Sequence, residues 1–501
     1  MRNPEAILAR VGEAAKEEGL AVYAVGGYVR DKLLGRPFSG EIDFTVVGDG
    51  PAFARLLARR WKLPGKVQIY RRFGTARLKM GPVRLEFATS RRESYAPDSR
   101  KPEVRPAPFE EDLARRDFTV NALALDTREP GEIIDRFNGL EDLKNRLIRT
   151  PLDPESTFRD DPLRILRAIR FAARLHFRIE EKTWEGLSEQ RERLEIVARE
   201  RINEEFFKIL AADPPSHGLL LLHLSGVLEI IFPEIAALAG VEQVGRHHHK
   251  DVLLHTFRVV DQVAETAPPD RVDLRFAALL HDIGKPATKH FDPEAGWTFH
   301  GHEHVGERMV RRMARPRKLP EDLAERTAKL VRLHMRPINL NDEEVTDSAI
   351  RRLVVQAGEQ IDDLLTLCRA DITSGNARKV RRYLADFDRM VARMHEIEDR
   401  DQLRRFQSPI RGEEIMERTG LPQSPRVGLI KALIEEAILD GGIPNSREGA
   451  ESIFEEIRRE VEALDEETVL RRLRAIHHAR SEGMRPPPEP GDGGRQRKKE
   501  N

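Results

Sequence analysis

The sequence predicts an α+β chain: a head of short strands and turns over residues 1–150, followed by helices to about residue 482. Three observations carry that prediction. Between residues 21 and 89 the runs AVYAVGG, EIDFTVVG, TARLKMG and VRLEFAT are short, β-branched and alternating, as half-buried strands are. From Thr157 onward the apolar residues recur at helical spacing. The 501 residues also exceed what one hydrophobic core accommodates, so three or more domains are expected.

In chain order, residues 1–20 read as an amphipathic helix ended by Gly19. GGYVRD (Gly26 to Asp31) follows the strand AVYAV as a glycine turn and short helix, and EID (Glu41 to Asp43) opens the next strand. SYAPDSRKPEVRPAPFEED, rich in proline and charge, reads as a mobile loop. DDPLRILRAIRFAARL begins with Asp160 and Asp161 before Pro162, an acidic helix start with proline in the first turn. AADPPSHG and AETAPPDR are breaks, and no fixed-period repeat stands out. The expected domains are a head at 1–150, a helical neck at 151–240, a helical domain at 241–395, a helical tail region at 396–482 and a disordered end at 483–501.

Charged residues make up 34% of the chain, with 85 basic against 85 acidic. A net charge of zero leaves a nucleic-acid partner open, because local distribution decides that. Residues 71–116 carry 12 Lys/Arg against 7 Asp/Glu, a stretch suited to phosphates or equally to an ordinary solvated face. One cysteine, Cys368 in an apolar run, permits no disulfide within the chain, and an inert buried thiol is expected in a reducing cytosol. No signal-peptide core and no long apolar run occur, so a cytoplasmic protein with no membrane partner is expected.

Glu41 and Asp43 are one residue apart on a strand, so their carboxylates point to the same side and can hold Mg²⁺. Glu86 on VRLEFAT can supply a third carboxylate from a neighbouring strand, or can be a plain exposed strand residue. Gly26 and Gly27 let backbone N–H groups approach a phosphate. Asp161 and Arg164, three apart, are read as neighbours on one helix. A carboxylate accepts and a guanidinium donates. That order matches adenine and cytosine, each an amine beside a ring-nitrogen acceptor, and mismatches uracil and guanine. The bland alternative is a surface ion pair. Arg167 and Arg170 continue from Arg164 at three-residue steps, a basic face that can reach phosphates.

GGYVRD, the carboxylate strand, LARRDFTVNALAL and FRDDPLRILRAIRFAARL occur in an order that resembles the class II tRNA nucleotidyltransferase and bacterial poly(A) polymerase family. The resemblance implies a polymerase-β-like palm holding the nucleotide and Mg²⁺, helical neck and body domains, and untemplated addition to an RNA 3′ end. It implies nucleotide-binding roles for Gly26, Gly27, Arg30, Asp31, Arg115, Arg116, Asp117, Asn121, Asp161, Arg164 and Arg167, catalytic roles for Glu41, Asp43 and Glu86, and as partners ATP, CTP and the tRNA acceptor stem. Two departures stand out. The base-reading segment opens with Asp160 rather than glutamate, and Glu41 replaces the usual first aspartate of the metal strand. A longer side chain in an octahedral site leaves the head active, slow, or suited to a more forgiving ion such as Mn²⁺.

A second constellation comprises His255, the pair His281–Asp282 in HDIGK, and Asp371. It resembles the HD phosphohydrolase superfamily, which implies a bound divalent metal of unspecified identity and hydrolysis of phosphoesters. His302 and His334 fit a second metal's ligands or surface positions; His249 is a weaker candidate, and Lys285 can contact a substrate phosphate. The products left open are CCA, the final A, CC alone or poly(A). The competing class is a phosphohydrolase with a weakened transferase head.

Overall fold

The computed structural model describes residues 3–63, 67–94, 103–129, 131–245, 248–294, 296–340, 346–373, 376–404, 406–482 and 484–486. The head is built on one seven-stranded sheet. Its strands are β1 (Ala21–Val25), β2 (Glu41–Val47), β3 (Gln68–Tyr70), β4 (Thr75–Met80) and β5 (Val83–Thr89), joined after a separate hairpin by β8 (Ala124–Asp126) and β9 (Ile133–Ile134). The spatial order is β3-β4-β5-β2-β1-β8-β9. β1 runs antiparallel to β2, while β2 and β5 run parallel.

Alternation decides which side of β2 faces the core. Ile42, Phe44 and Val46 are buried, whereas Glu41 and Asp43 point to the open side. Phe44 stacks on Phe87 of β5 with centroids 4.7 Å apart, and Phe53 of the helix Gly50–Arg60 packs edge-on against the same ring at 5.7 Å. Such pairs add about 0.5–1.5 kcal/mol beyond burial. The carboxylate strand is thereby fixed from behind.

The separate hairpin pairs β6 (Arg91–Ser94) with β7 (Glu103–Pro106); β7 and the start of the helix Phe109–Ala114 fall within the stretch expected to be a mobile loop, which β6 meets only at Ser94. Residues 95–102 of that expectation lie outside the described residues. The region is ordered at its base because Ser90 donates through Oγ to the Ala107 carbonyl (2.8 Å) and Asp112 accepts from the Arg91 N–H (3.4 Å).

The helix expected to start at Asp160 also differs. Asp160 ends the helix Pro154–Asp160, Asp161 is extended (φ −133°, ψ 95°), and the next helix is Leu163–Leu175. Proline disfavours helical backbone in the residue before it, so Pro162 splits the segment in two. The helix Leu163–Leu175 buries Ile165, Leu166, Ile169 and Phe171, and Phe118 meets Phe171 edge-on at 5.8 Å.

The chain divides into two units. The first comprises residues 1–242, 250–264 and 315–319; the second comprises 243–249, 265–314 and 320–501. Among its described residues the second unit is mostly helical, with a short ribbon of His290–Asp292 paired to Gly296–Thr298. Its C-terminal helices Gly412–Thr419, Pro425–Leu439, Arg447–Ala463 and Glu466–Glu482 enclose a core of Ile415, Leu429, Ile430, Ile434, Phe454 and Val469. No described helix is long and apolar enough to cross a membrane.

Candidate functional site

The parallel pairing of β2 and β5 sets Asp43 directly opposite Glu86 and Glu41 opposite Arg84. Asp43 stays open to solvent, yet protein packed around its carboxyl, with Glu86 and Glu41 nearby, outweighs Arg116 and Arg77 and pushes it up to about 6. That is the signature of carboxylates gathered without enough cationic neighbours. Glu86 is engaged by Arg77 (2.8 Å) and Glu41 by Arg84, both partly exposed pairs. The three head carboxylates do not bring their oxygens within 4.8 Å of one another. Their all-oxygen donor chemistry fits a hard divalent cation, which would relieve the charge crowding at Asp43.

Gly26 adopts φ +71°, and a Cβ there would sit 3.2 Å from Nη1 of Arg116. Only glycine gives that turn without a strained left-handed residue. From the turn, a buried polar chain runs inward. Arg30 donates through Nη1 to Oδ1 of Asn121 (2.7 Å), and Asn121 donates through Nδ2 to Oδ1 of Asp117 (2.9 Å). Arg167 donates through Nε to the other oxygen of Asp117 (2.8 Å). Burial alone would raise Asp117, but Arg167 and the Asn121 amide outweigh it and bring it to about 2. Asp31 is held by Arg30 (Nε to Oδ1, 2.9 Å).

Asp112 is a positioning residue that the sequence reading missed. It is 1% exposed and pairs with Arg115 (2.6 Å) and Arg116 (3.4 Å), while Thr45 of β2 donates to it at 3.0 Å. The two arginines are thus tied to the carboxylate strand. The signal was present: Asp112 precedes them by three and four residues, the spacing of helical neighbours.

Asp161 and Arg164 line one open pocket with Arg115, Arg116, Asp117 and Arg167. Arg201, unremarked in the sequence, completes the lining. Asp161 is not on the helix with Arg164, as the spacing suggested. It caps the break and accepts from the Leu163 N–H (3.3 Å), while Arg164 stands in the helix's first turn. Arg164 donates through Nη2 to the Arg115 carbonyl (2.6 Å) and through Nη1 to that of Thr157 (3.4 Å), which fixes the plane of its guanidinium. The expected basic face toward phosphates does not extend to Arg170. That side chain is buried against Glu205 (2.8 Å), and burial brings it down to about 10.

In the second unit, Asp282, His302 and His334 are buried and bring one ligand atom each within 4.8 Å of one another. The Nδ1 atoms of His281, His302 and His334 face the carbonyls of Ala278 (2.7 Å), Phe299 (2.9 Å) and Val331 (2.7 Å), each three residues earlier. That places the imidazole proton on Nδ1 and leaves Nε2 for a metal. His302 Nε2 stands 3.2 Å from His334 Nε2, and His281 Nε2 lies 3.5 Å from Asp371. Burial, with His281 and His302 nearby, drives His334 down to about 3, so it is neutral and able to ligate. His302 and His334, expected as accessory or surface positions, are therefore central to this cluster. Two imidazoles and a carboxylate fit a divalent metal. Gly284 permits the geometry: a Cβ there would lie 2.1 Å from the His302 carbonyl oxygen.

Lys285 is buried and pairs with Asp282 at 2.6 Å. Cys368 is buried as expected, and burial pushes its thiol up. His255 lies on the helix Val252–Thr266, in the part of the chain belonging to the first unit. The side chain of His249 lies outside the described residues.

The family model for the poly A polymerase head domain matches residues 22–149, that for the probable RNA and SrmB-binding site of polymerase A matches 176–238, and the HD domain matches 247–376. Fold and head together define a nucleotidyltransferase. A CC-adding tRNA nucleotidyltransferase of Thermus thermophilus is 34% identical over 82% of this chain and 88% of its own. An A-adding tRNA nucleotidyltransferase of Deinococcus radiodurans is 34% identical over 68% and 78%. A multifunctional CCA protein of Pseudomonas fluorescens is 37% identical over 61% and 72%. The CCA-adding enzyme of Thermotoga maritima solved with tRNA matches at 25% identity and TM-score 0.58, over 90% of this chain and 95% of that one. The chain belongs to the tRNA nucleotidyltransferase family, with a head on a mixed sheet, a helical body and an HD domain.

Proposed function

We propose that this enzyme adds CMP and AMP, taken from CTP and ATP, to the 3′ end of tRNA. The domains would be the head at 1–150, neck at 151–240, HD domain at 241–395 and tail region at 396–482, working in the cytoplasm. The observation that carries the reading is the shared pocket of Asp161 and Arg164 with Arg115, Arg116 and Asp117, tied through Asp112 and Thr45 to the strand of Asp43. Asp161 accepts from the exocyclic amine of cytosine or adenine, and the oriented Arg164 donates to the adjacent ring nitrogen. Arg115 and Arg116 bind the triphosphate, and the Arg30–Asn121–Asp117–Arg167 chain keeps the sugar-side wall rigid. A divalent ion bound by Asp43, Glu41 and Glu86, Mg²⁺ or Mn²⁺, would activate the RNA 3′ hydroxyl and neutralise charge on the transferred phosphoryl.

The test is incorporation of labelled CMP or AMP into tRNA ending at the discriminator base, beside tRNA ending in CC. C, C, then A on the first marks a CCA-adding enzyme. A on the second alone marks an A-adding enzyme, and two C residues without A mark a CC-adding one. Long A tracts mark a poly(A) polymerase, and no incorporation with either ion sinks the reading. Asp161→Ala is expected to lower the preference for CTP and ATP over UTP and GTP by roughly 10- to 100-fold, a bidentate base contact being worth about 1–3 kcal/mol.

A second activity is favoured by the Nε2 atoms gathered at Asp282. His281, Asp282 and Asp371, with His302 and His334, would hold a divalent metal and hydrolyse a phosphoester. Adding Mn²⁺ or Ni²⁺ to metal-stripped protein is expected to raise its melting temperature by more than that of His334→Ala, which keeps only the head's carboxylates. An equal rise in both would argue against the site.

A further inference from the structure

The head holds a second cavity, of about 900 Å³, that the transfer chemistry leaves unused. Small-molecule sites run from about 300 to 1,000 Å³. Val47 and Thr89, the last residues of β2 and β5, line it. Val47 lies four residues beyond Asp43, roughly 13 Å along a strand. The start of the helix Gly50–Arg60 forms one wall, and Pro106 and Pro108 at the exit of the hairpin form another.

The lining selects a chemistry. Val47 and Phe73 are large and apolar, yet 39% and 41% exposed, and Ile69 stands with them. Apolar side chains gathered in a concavity suit a ring-bearing body. Arg55 and Arg71 share the lining, and among the described residues neither has an ion pair or a hydrogen bond. The carboxylate in the lining, Asp49, is turned to its own helix, where it accepts from the Ala52 N–H (2.9 Å). Two guanidiniums without a carboxylate partner suit a phosphate or carboxylate group on that ring.

The cavity wall also reaches the nucleotide pocket. Arg91 lines the cavity, and its guanidinium donates to Oγ1 of Thr75 (3.1 Å) and to the Phe73 carbonyl. Its backbone N–H donates to Asp112 (3.4 Å), and its carbonyl accepts from Nε of Arg115 (3.0 Å). Arg115 lines the pocket shared by Asp161 and Arg164. A ligand that fixes the Arg91 wall therefore fixes the Arg115 guanidinium as well. We propose that this cavity binds a small aromatic anion, its ring on Val47 and Phe73 and its phosphate or carboxylate on Arg55 and Arg71. Occupancy raises the nucleotide pocket's affinity through Arg91. The coupling rests on the nucleotide-transfer reading above; the binding site does not.

The experiment uses the full-length protein and two probes that share a ring, 1-naphthyl phosphate and 1-naphthoate. Each is titrated by its own fluorescence into metal-stripped protein, with the neutral 1-naphthylmethanol as control. An anion is expected to bind at least tenfold more tightly than the alcohol, and the tighter anion assigns the charged group. Arg55→Gln, Arg71→Gln and Phe73→Ala should each weaken it about tenfold. Both arginines are exposed, so their variants carry the test if Phe73→Ala fails to fold. With Mg²⁺ restored, saturating probe should lower KM for the incorporated nucleotide about fivefold at unchanged kcat, and should not do so in the variants. Equal binding by wild type and every variant, or equal binding of the alcohol, overturns the site. Binding that the variants lose, with KM unmoved in the wild type, overturns the coupling. Displacement of the probe by a tRNA transcript makes the cavity part of the RNA path and overturns the small-molecule assignment. A wild type that incorporates no nucleotide overturns the transfer reading, and the titration still decides the site.

Discussion

Asp43→Asn is expected to abolish nucleotide incorporation, by about a thousandfold or more, while making the metal-free protein harder to melt at pH 8. The loss follows from removing the carboxylate at the centre of the head, where a divalent ion is worth several kcal/mol of transition-state stabilisation. The gain follows from linkage. The folded-state pKa of Asp43 is raised from 3.8 to about 6, so the folded protein holds that proton more tightly than the unfolded chain does. Above pH 6 the ionised carboxylate therefore costs folding stability, and below pH 4 it costs nothing. Thermal melts of the two proteins without divalent ions should differ at pH 8 and converge at pH 4. Mg²⁺ should raise the wild-type melt by more than that of the variant. A variant that transfers nucleotides at near wild-type rate would remove Asp43 from the reaction.

Asp117→Ala is expected to destabilise the head by about 3–5 kcal/mol, the cost of stranding buried partners of a broken ion pair. Arg167 loses its carboxylate and Asn121 loses the acceptor for its amide. The sign of the pH dependence is fixed. With a folded pKa of about 2 against 3.8 unfolded, Asp117 contributes about 2 kcal/mol that is fully present above pH 4. That contribution is lost as pH falls toward 2. Urea unfolding should show a large gap between wild type and Asp117→Asn at pH 7 and a smaller one near pH 3. A constant gap would mean that the ionised form is not what stabilises the head.

The carboxylate strand was legible because alternation is a local property: Glu41 and Asp43 had to share a side once EIDFTVV formed a strand. Their position opposite Arg84 and Glu86 was not legible, since register across a parallel pair is set by packing such as Phe44 on Phe87. The motif spacing located Asp161 and Arg164, but the assumed continuous helix ignored the effect of Pro162 on the residue before it. Arg170 was misjudged because helical spacing does not say which residues meet another buried helix, and Glu205 lies 35 residues away. Arg201 had no local signal at all. The histidine cluster was legible as a set of types. Its centre was not, because only the fold brings His302 and His334 to Asp282.

The polar chain from Arg30 to Arg167 also bears on which positions can drift. Each member is the hydrogen-bond partner of the next, so an altered residue in the interior passes its defect along the series. Glu41 lies outside that series. It pairs with the solvent-facing Arg84. A change of one methylene at Glu41 is absorbed by water and a flexible arginine, whereas the same change at Asn121 or Asp117 has nowhere to go. The head is therefore forgiving at the exposed end of its carboxylate strand and brittle along the Asn121–Asp117 chain, which makes that strand end the place where a family member can vary without unfolding.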